Sequence, residues 1–381
     1  MTQARAGSGQ AGSGTGAGDV RATRARAAGA SPGGEEAEVA HGTAVERRSP
    51  VPRGSVKAMQ SPGRRQLMLF SGRCNAELAH EVAQHLGIEC GPVELSDFAS
   101  GEVYVRFGAS VRGSDSFVFQ GHAAPINERI MEQALMIDAL KRASAKRITA
   151  VVPFYGYARQ DKKGRSREPI AARLVADILK VAGTDRIITI DLHSGQIQGF
   201  FDGPVDHLTA LPPLAEYVRE HHQADLVVVS PDAGRVKTAE KFADRLRSPL
   251  AILHKRRTRE ERNTVEVREV VGDVRGKHCV LIDDMIDTAS TIVRGAEALV
   301  EAGAVRVTAA ATHGVFSGPA VDRLKNSVID EIVVTNTLPI TPDQQLDKVV
   351  VLSIADILAD AIRAVFEDES VSDLFAGDNQ L

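Results

Sequence analysis

The chain has 381 residues, 43% apolar and 25% charged, with a net charge of −4 and three cysteines. That is an ordinary globular composition, with room for two or three domains of ~100–200 residues each. It gives no support to a nucleic-acid surface, which needs a strongly basic balance, or to a membrane span, since no apolar run approaches ~18 residues. Cys74, Cys90 and Cys279 are widely spaced and odd in number, which fits a reducing compartment and no metal-ligand pattern. With no apolar core of a secretory signal near the N-terminus, the expected location is the cytoplasm.

Residues 1–64 are rich in Gly, Ala, Ser and Arg and nearly devoid of large apolar side chains. Such a segment cannot offset its ordering entropy and is predicted to be disordered. Met59 is an alternative start within it. Order is predicted from Gln66 to Gly72, an apolar strand stopped by glycine, followed by a helical pattern at Leu78, Val82 and Leu86. Val103/Val105/Phe107 and Phe117/Val118/Phe119 read as strands, and Ile126 to Arg142 as a helix with Ile130, Ala134, Ile137 and Leu140 on one face. Further strands are predicted at Arg147–Pro153, Ile187–Leu192, Leu226–Ser230, Leu250–His254, Cys279–Asp284, Val305–Thr312 and Ile332–Asn336, with helices between them. This alternation predicts an α/β fold of two similar domains in tandem, each a mainly parallel sheet flanked by helices. The expected domains are 65–210 and 211–355. A C-terminal helix, in the helical stretch Ile354–Phe366 and bounded at about 356–370, is expected to pack back on the first.

The richest chemistry lies in Val280-Leu281-Ile282-Asp283-Asp284-Met285-Ile286-Asp287-Thr288-Ala289-Ser290-Thr291. A short apolar run, too short for a helix, ends in two carboxylates, then a hydroxyl-rich turn, then a helical pattern near Ile292. In a parallel sheet ligands bind beyond the carboxyl ends of the strands, and a turn leading into a helix offers backbone N–H groups to a phosphate. Thr288, Ser290 and Thr291 add hydroxyls, while Asp283 and Asp284 can accept from a sugar diol or hold a metal. A simple helix cap would need one such residue; this stretch has three carboxylates and three hydroxyls. The expectation is therefore a sugar-phosphate site.

Other strand ends carry charge. Ser230-Pro231-Asp232-Ala233-Gly234-Arg235-Val236-Lys237 reads equally as an anion-binding loop or as a turn with a capping Asp. Asp191-Leu192-His193 precedes a run of turn formers and acids from Gln196 to Leu208. Pro153 to Pro169 sets Phe154, Tyr155 and Tyr157 beside basic residues including Arg159. Lys255-Arg256-Arg257 follows Leu250–Leu253, a position suited to stabilising transferring phosphoryl oxygens.

The stretch around Asp283–Thr291 resembles the ribose 5-phosphate loop of phosphoribosyltransferase-fold proteins. Together with Tyr155-Gly156-Tyr157-Ala158-Arg159-Gln160-Asp161, Asp191-Leu192-His193, Asp232 and Lys255-Arg256-Arg257, it makes the whole of 66–376 similar to the ribose-phosphate pyrophosphokinase family. The resemblance implies two tandem phosphoribosyltransferase-like domains. It also implies transfer of a pyrophosphoryl group from MgATP to ribose 5-phosphate, supplying nucleotide, histidine and tryptophan biosynthesis. It assigns ATP binding to Phe98, Ser100, Glu102, Arg159 and Gln160, Mg²⁺ to His193 and Asp232, and transition-state stabilisation on a flexible loop to Lys255 and Arg257. Ribose 5-phosphate would be held by Asp283, Asp284, Asp287, Thr288, Ala289, Ser290 and Thr291. An allosteric site for ADP or phosphate would use Ser110, Arg112 and Ser317, and a hexamer is implied.

Three departures from the family pattern stand out: Ala289-Ser290 in place of Gly-Gly, Ala233-Gly234-Arg235 in place of a Gly-Gly loop, and Ser100 where Asp is usual. Because a Cβ disfavours left-handed backbone, Ala289 and Ser290 are expected to be right-handed or extended. Two other readings are a catalytically dead subunit of the same fold, disfavoured by the retained His193, Asp232, Lys255 and Arg257, and a base-using phosphoribosyltransferase, disfavoured by the doubled domain.

Overall fold

Successive side chains in the strands point to opposite faces of the sheet, and here apolar side chains on both faces of two sheets are buried. The computed structural model describes residues 59–60, 65–222, 225–257 and 266–375, without side chains at 59–60, 255–257 and 266–268. The disorder expected of 1–64 thus concerns residues outside the description, apart from 59–60.

The first half contains β1 (Met59–Gln60), β2 (Gln66–Ser71), α1 (Ala76–Leu86), β3 (Val93–Asp97), β4 (Val103–Phe107), β5 (Asp115–Phe119), α2 (Ile126–Arg142), β6 (Arg147–Val152), α3 (Ala171–Ala182), β7 (Arg186–Ile190) and β8 (Val205–Leu208). Its sheet has the order β1-β2-β5-β6-β7-β8, parallel throughout except where β1 meets β2. β3 and β4 form a separate antiparallel pair.

The second half contains α4 (Leu211–His221), β9 (Leu226–Ser230), α5 (Val236–Leu246), β10 (Leu250–Arg257), β11 (Glu266–Val271), β12 (His278–Ile286), α6 (Ser290–Glu301), β13 (Arg306–Gly314), α7 (Ala320–Lys325), β14 (Glu331–Thr335), β15 (Val349–Leu352) and α8 (Ala355–Glu367). The order is β11-β10-β9-β12-β13-β14-β15, and only β10 and β11 run antiparallel. Strands buried on both faces read as near-continuous apolar runs, as in β9 (Leu-Val-Val-Val-Ser) and β6 (Arg-Ile-Thr-Ala-Val-Val).

The two-residue period sorts the core. Met68 and Phe70 of β2 join α2 and α3 through Ile137, Leu140, Val175 and Leu179. Leu67 and Leu69 point the other way, into a cluster shared by Leu78 and Val82 of α1, Leu358 and Ile362 of α8, Leu214 of α4 and Phe242 of α5. That cluster also takes Val228, Val280 and Val333, so one core joins the two sheets. Val227, Val229 and Leu281 face a third cluster with Ile292 and Leu299 of α6 and Leu324 of α7. α8 lies against α1, where Arg363 also donates to the His85 carbonyl at 3.1 Å.

The structure corrects several strand limits. β12 runs through Asp283 and Asp284 to Ile286 rather than ending in them, because β13 pairs with it to Gly314. β10 continues to Arg257 in a ladder with β11, so Lys255 and Arg257 have strand backbone rather than loop backbone; their side chains and residues 258–265 lie outside the description. β8, within the run read as turn formers and acids, is a strand: Asp206 pairs with Arg186 at 2.6 Å and His207 Nε2 accepts from Leu192 N at 2.8 Å. Tertiary partners there override the polar pattern.

Candidate active site

Past Leu281, β12 no longer pairs with β9 and keeps only β13 as neighbour. The backbone then turns sharply at 287–289 into α6. Val315 and Phe316 N–H donate to the Ile286 carbonyl and Ser317 N–H to that of Asp287. The turn closes on Ala289 at φ +60°, ψ 0°, immediately before the helix. This overturns the expectation of a right-handed or extended Ala289. A Cβ in left-handed geometry costs roughly 1–2 kcal/mol. Here the methyl group is 4% exposed and packed with Ile286, Ile292 and Phe316, which offsets that cost.

A cavity of about 160 Å³ opens at this turn. Its walls bring together Arg159, His193, Asp232, Asp283, Asp284, Asp287, Thr288, Ala289, Ser290 and Thr291. These residues come from the carboxyl ends of β6, β7, β9 and β12, so both sheets contribute. Asp232 also caps the turn at 233–235, accepting from Gly234 N at 2.8 Å, so the capping reading of that loop holds.

A dense charge network lines the cavity. His193 Nδ1 lies 2.7 Å from Asp284 Oδ2, bridging the two halves. Arg235 reaches Asp284 Oδ2 at 2.6 Å and Asp283 Oδ1 at 3.3 Å. Burial raises the pKa of Asp284, but its hydrogen bond with His193 and the Arg235 charge outweigh this and hold it below the usual carboxylate range. Burial and the charge of Asp284 push Asp283 well above that range. Asp287 accepts from Arg159 Nη1 at 2.5 Å and from the Ser317 hydroxyl. Arg323 donates to the Thr288 carbonyl at 2.9 Å and braces the turn.

A larger cavity of about 830 Å³ adjoins the first and shares Arg159, Met285 and Asp287 with it. Gln160 lines it with Pro125, Ile126, Phe154 and Tyr157. Phe98, Ser100 and Glu102 stand apart, between β3 and β4: Phe98 is half-exposed and edge-on to Tyr104, and Ser100 donates to Glu102 at 2.8 Å. They line neither cavity. Of the expected allosteric set, Ser317 sits against Asp287, whereas Arg112 reaches Ser144 at 3.4 Å and Ser110 is exposed beside it. Within one chain these three are not brought together.

Sequence reasoning passed over Arg235, noted only as added charge, and the carboxylates behind the site. Asp161 accepts from Ser194 at 2.7 Å and from Gln196 at 2.8 Å, fixing the segment that follows His193. Asp191, at φ +37°, accepts from Ala210 N at 2.9 Å and from Thr312 Oγ1 at 2.6 Å. The available signal was an Arg inside a Gly-containing turn after a strand.

Comparison with known proteins agrees with this architecture. Residues 67–183 match the family model of the N-terminal domain of ribose phosphate pyrophosphokinase, and 266–376 that of the phosphoribosyl synthetase-associated domain. The ribose-phosphate pyrophosphokinase of Streptomyces coelicolor is 60% identical over 83% of this chain and 98% of its own. That of Mycobacterium tuberculosis is 56% identical over 83% and 97%. The crystal structure of phosphoribosylpyrophosphate synthetase from Mycobacterium smegmatis is 57% identical and covers 79% of this chain and 99% of its own, with a TM-score of 0.76. With its two phosphoribosyltransferase-like domains and these relatives, the chain belongs to the ribose-phosphate pyrophosphokinase family.

Proposed function

We propose that the cavity at the β12–α6 turn holds ribose 5-phosphate, and that the adjoining cavity takes ATP at Arg159 and Gln160. The observation that carries this is the convergence of Arg159, His193, Asp232 and the whole 283–291 stretch on one small cavity, with a larger apolar one beside it. The 5-phosphate would sit on the backbone N–H groups and hydroxyls of Thr288 to Thr291 at the positive end of α6. Asp283 and Asp284 would accept from the ring hydroxyls. The reaction is pyrophosphoryl transfer: the 1-hydroxyl oxygen attacks the β-phosphorus of ATP, the bond from that phosphorus to the oxygen bridging it to the α-phosphate breaks, and AMP leaves. Such a step needs in-line positioning and charge neutralisation more than a covalent nucleophile. Arg159, held by Asp287 at the junction of the two cavities, would orient the polyphosphate between them.

Among the described residues no three His, Cys, Asp or Glu side chains converge as a ready-made metal cage. Mg²⁺ keeps several waters and takes one or two protein ligands plus substrate phosphates. His193 and Asp232 would hold it, and when bound it would neutralise polyphosphate charge. Lys255 and Arg257 would add positive charge at the transferring group. ADP and inorganic phosphate are the proposed effectors and a hexamer the proposed assembly. AMP formation from ATP that depends on ribose 5-phosphate tests the reading. AMP released equally without the sugar phosphate would overturn it.

A further inference from the structure

Arg235 makes four contacts that together span the site. Its Nη1 donates to the His193 carbonyl at 3.0 Å, its Nη2 approaches His193 Nδ1 at 2.6 Å and Asp284 Oδ2 at 2.6 Å, and its Nε lies 3.3 Å from Asp283 Oδ1. The side chain is only 14% exposed, so these contacts are poorly screened. One guanidinium thus ties the segment after β7 to the acidic pair on β12.

Its geometry carries a conflict. Arg235 Nη2, His193 Nδ1 and Asp284 Oδ2 form a triangle with sides of 2.6, 2.6 and 2.7 Å. If Nδ1 carries no proton, Arg235 donates to both neighbours, and two lone pairs face each other across the His193–Asp284 side. If Nδ1 is protonated and donates to Asp284, its N–H faces a guanidinium N–H, and a guanidinium has no acceptor. With Asp284 ionised, neither arrangement satisfies all three sides. Two lone pairs this close are satisfied together when a single cation faces both.

We propose that Arg235 is a positioning residue: a resident cation that holds His193 onto Asp284 and competes with a divalent cation for that place. This rests on the assignment of His193 as a metal ligand. Three features support it. The acidic pair is nearly buried, and a buried pair of carboxylates needs a compensating positive charge. Arg235 supplies that charge from the capped turn at 233–235, which belongs to neither β7 nor β12. Asp232, the other proposed ligand, lines the same cavity three residues before it. Cation binding and the Arg235 contacts therefore oppose each other, which sets the cation concentration at which the site assembles.

The test is Mn²⁺ binding to the full chain without substrates, followed by electron paramagnetic resonance at fixed ionic strength, together with melting temperatures with and without Mn²⁺. Arg235→Gln should bind Mn²⁺ about fivefold to a hundredfold more tightly than wild type. It should melt lower than wild type without metal, and the gap should narrow when Mn²⁺ is saturating. Arg235→Lys keeps a charge but loses the fork, and should bind with intermediate affinity; it also serves if Arg235→Gln does not fold. Unchanged or weaker Mn²⁺ binding in both variants would overturn the proposal while leaving the metal assignment intact, provided His193→Ala weakens binding. Mn²⁺ binding indifferent to His193→Ala would remove the metal assignment and this proposal with it.

Discussion

Ala289 shows how a single residue can contradict a propensity and still be required by its surroundings. Its left-handed backbone is what turns a strand directly into α6, and its methyl group is buried in the core under that helix. Replacement by glycine relieves roughly 1–2 kcal/mol of backbone cost but loses about 0.8 kcal/mol of burial. Ala289→Gly should therefore lie within about 1 kcal/mol of wild type in urea unfolding. Ala289→Val places a β-branched side chain at positive φ and overpacks the pocket, and should cost more than ~2 kcal/mol. Equal stability of the two variants would refute the left-handed assignment. At the neighbouring position Ser290→Gly should change the ribose 5-phosphate KM by less than about tenfold, ~1.4 kcal/mol, because the N–H groups do the binding. Asp287→Ala should cost more. It removes the carboxylate that holds both Arg159 and Ser317. If both substitutions are equally tolerated by steady-state kinetics, this turn does not hold the sugar phosphate.

At the scale of elements, the sequence was most legible where period and punctuation agreed. β9 was predicted with its observed limits, and α2 likewise, because an apolar run or stripe is bounded there by charge or proline. β3, β8, β11 and β15 were missed. Each is a short strand of four to six residues, and β8 and β11 are heavily interrupted by charge, so partners distant in sequence decide their state. The residues of the main cavity were legible because their chemistry clusters locally after each strand. Arg235 was not, because its role exists only once His193, 42 residues earlier in the chain, is folded against it. The same distance dependence applies to α8, whose docking on α1 joins opposite ends of the described chain. Ile362 is fully buried there, so Ile362→Ala should cost ~2–5 kcal/mol in urea unfolding. Exposed Leu374 replaced by Ala should cost less than ~0.5 kcal/mol. A small effect at Ile362 would mean that α8 is not docked. β10 carries Lys255 and Arg257 to the end of a ladder, and Lys255→Ala or Arg257→Ala should lower kcat by ~10²–10⁴ with little change in KM. A raised KM with unchanged kcat would make them binding groups instead.

The whole molecule is tuned against acid by histidines buried in both halves. His122, fully buried after β5, accepts from Gly156 N at Nδ1 and faces Gln133 Oε1 through Nε2, so it is held as the neutral ring with its proton on Nε2. His278, at the start of β12 in the other half, bonds Thr308 and packs edge-on against His222 at 4.8 Å. Burial lowers the pKa of each from 6.5 to about 4, and for His278 the neighbouring His222 adds to the effect. In the unfolded chain both rings bind a proton as pH falls through 6.5; in the folded chain they do so only near 4. Between those values the unfolded state holds more protons, so stability rises with pH and is lost on acidification. A depression of this size corresponds to roughly 3 kcal/mol for one imidazole at most. The urea midpoint should therefore be flat from pH 8 to 7 and fall steadily from pH 6.5 to 4.5. His122→Gln, which cannot titrate, should lower stability at pH 7 but flatten the fall, the remainder belonging to His278 and to the buried His207 and His313, whose pKa values burial also lowers. The two effects separate because one is an offset and the other a slope. A midpoint that stays constant down to pH 5 in wild type, or an unaltered slope in His122→Gln, would show that these rings are not held neutral by the fold.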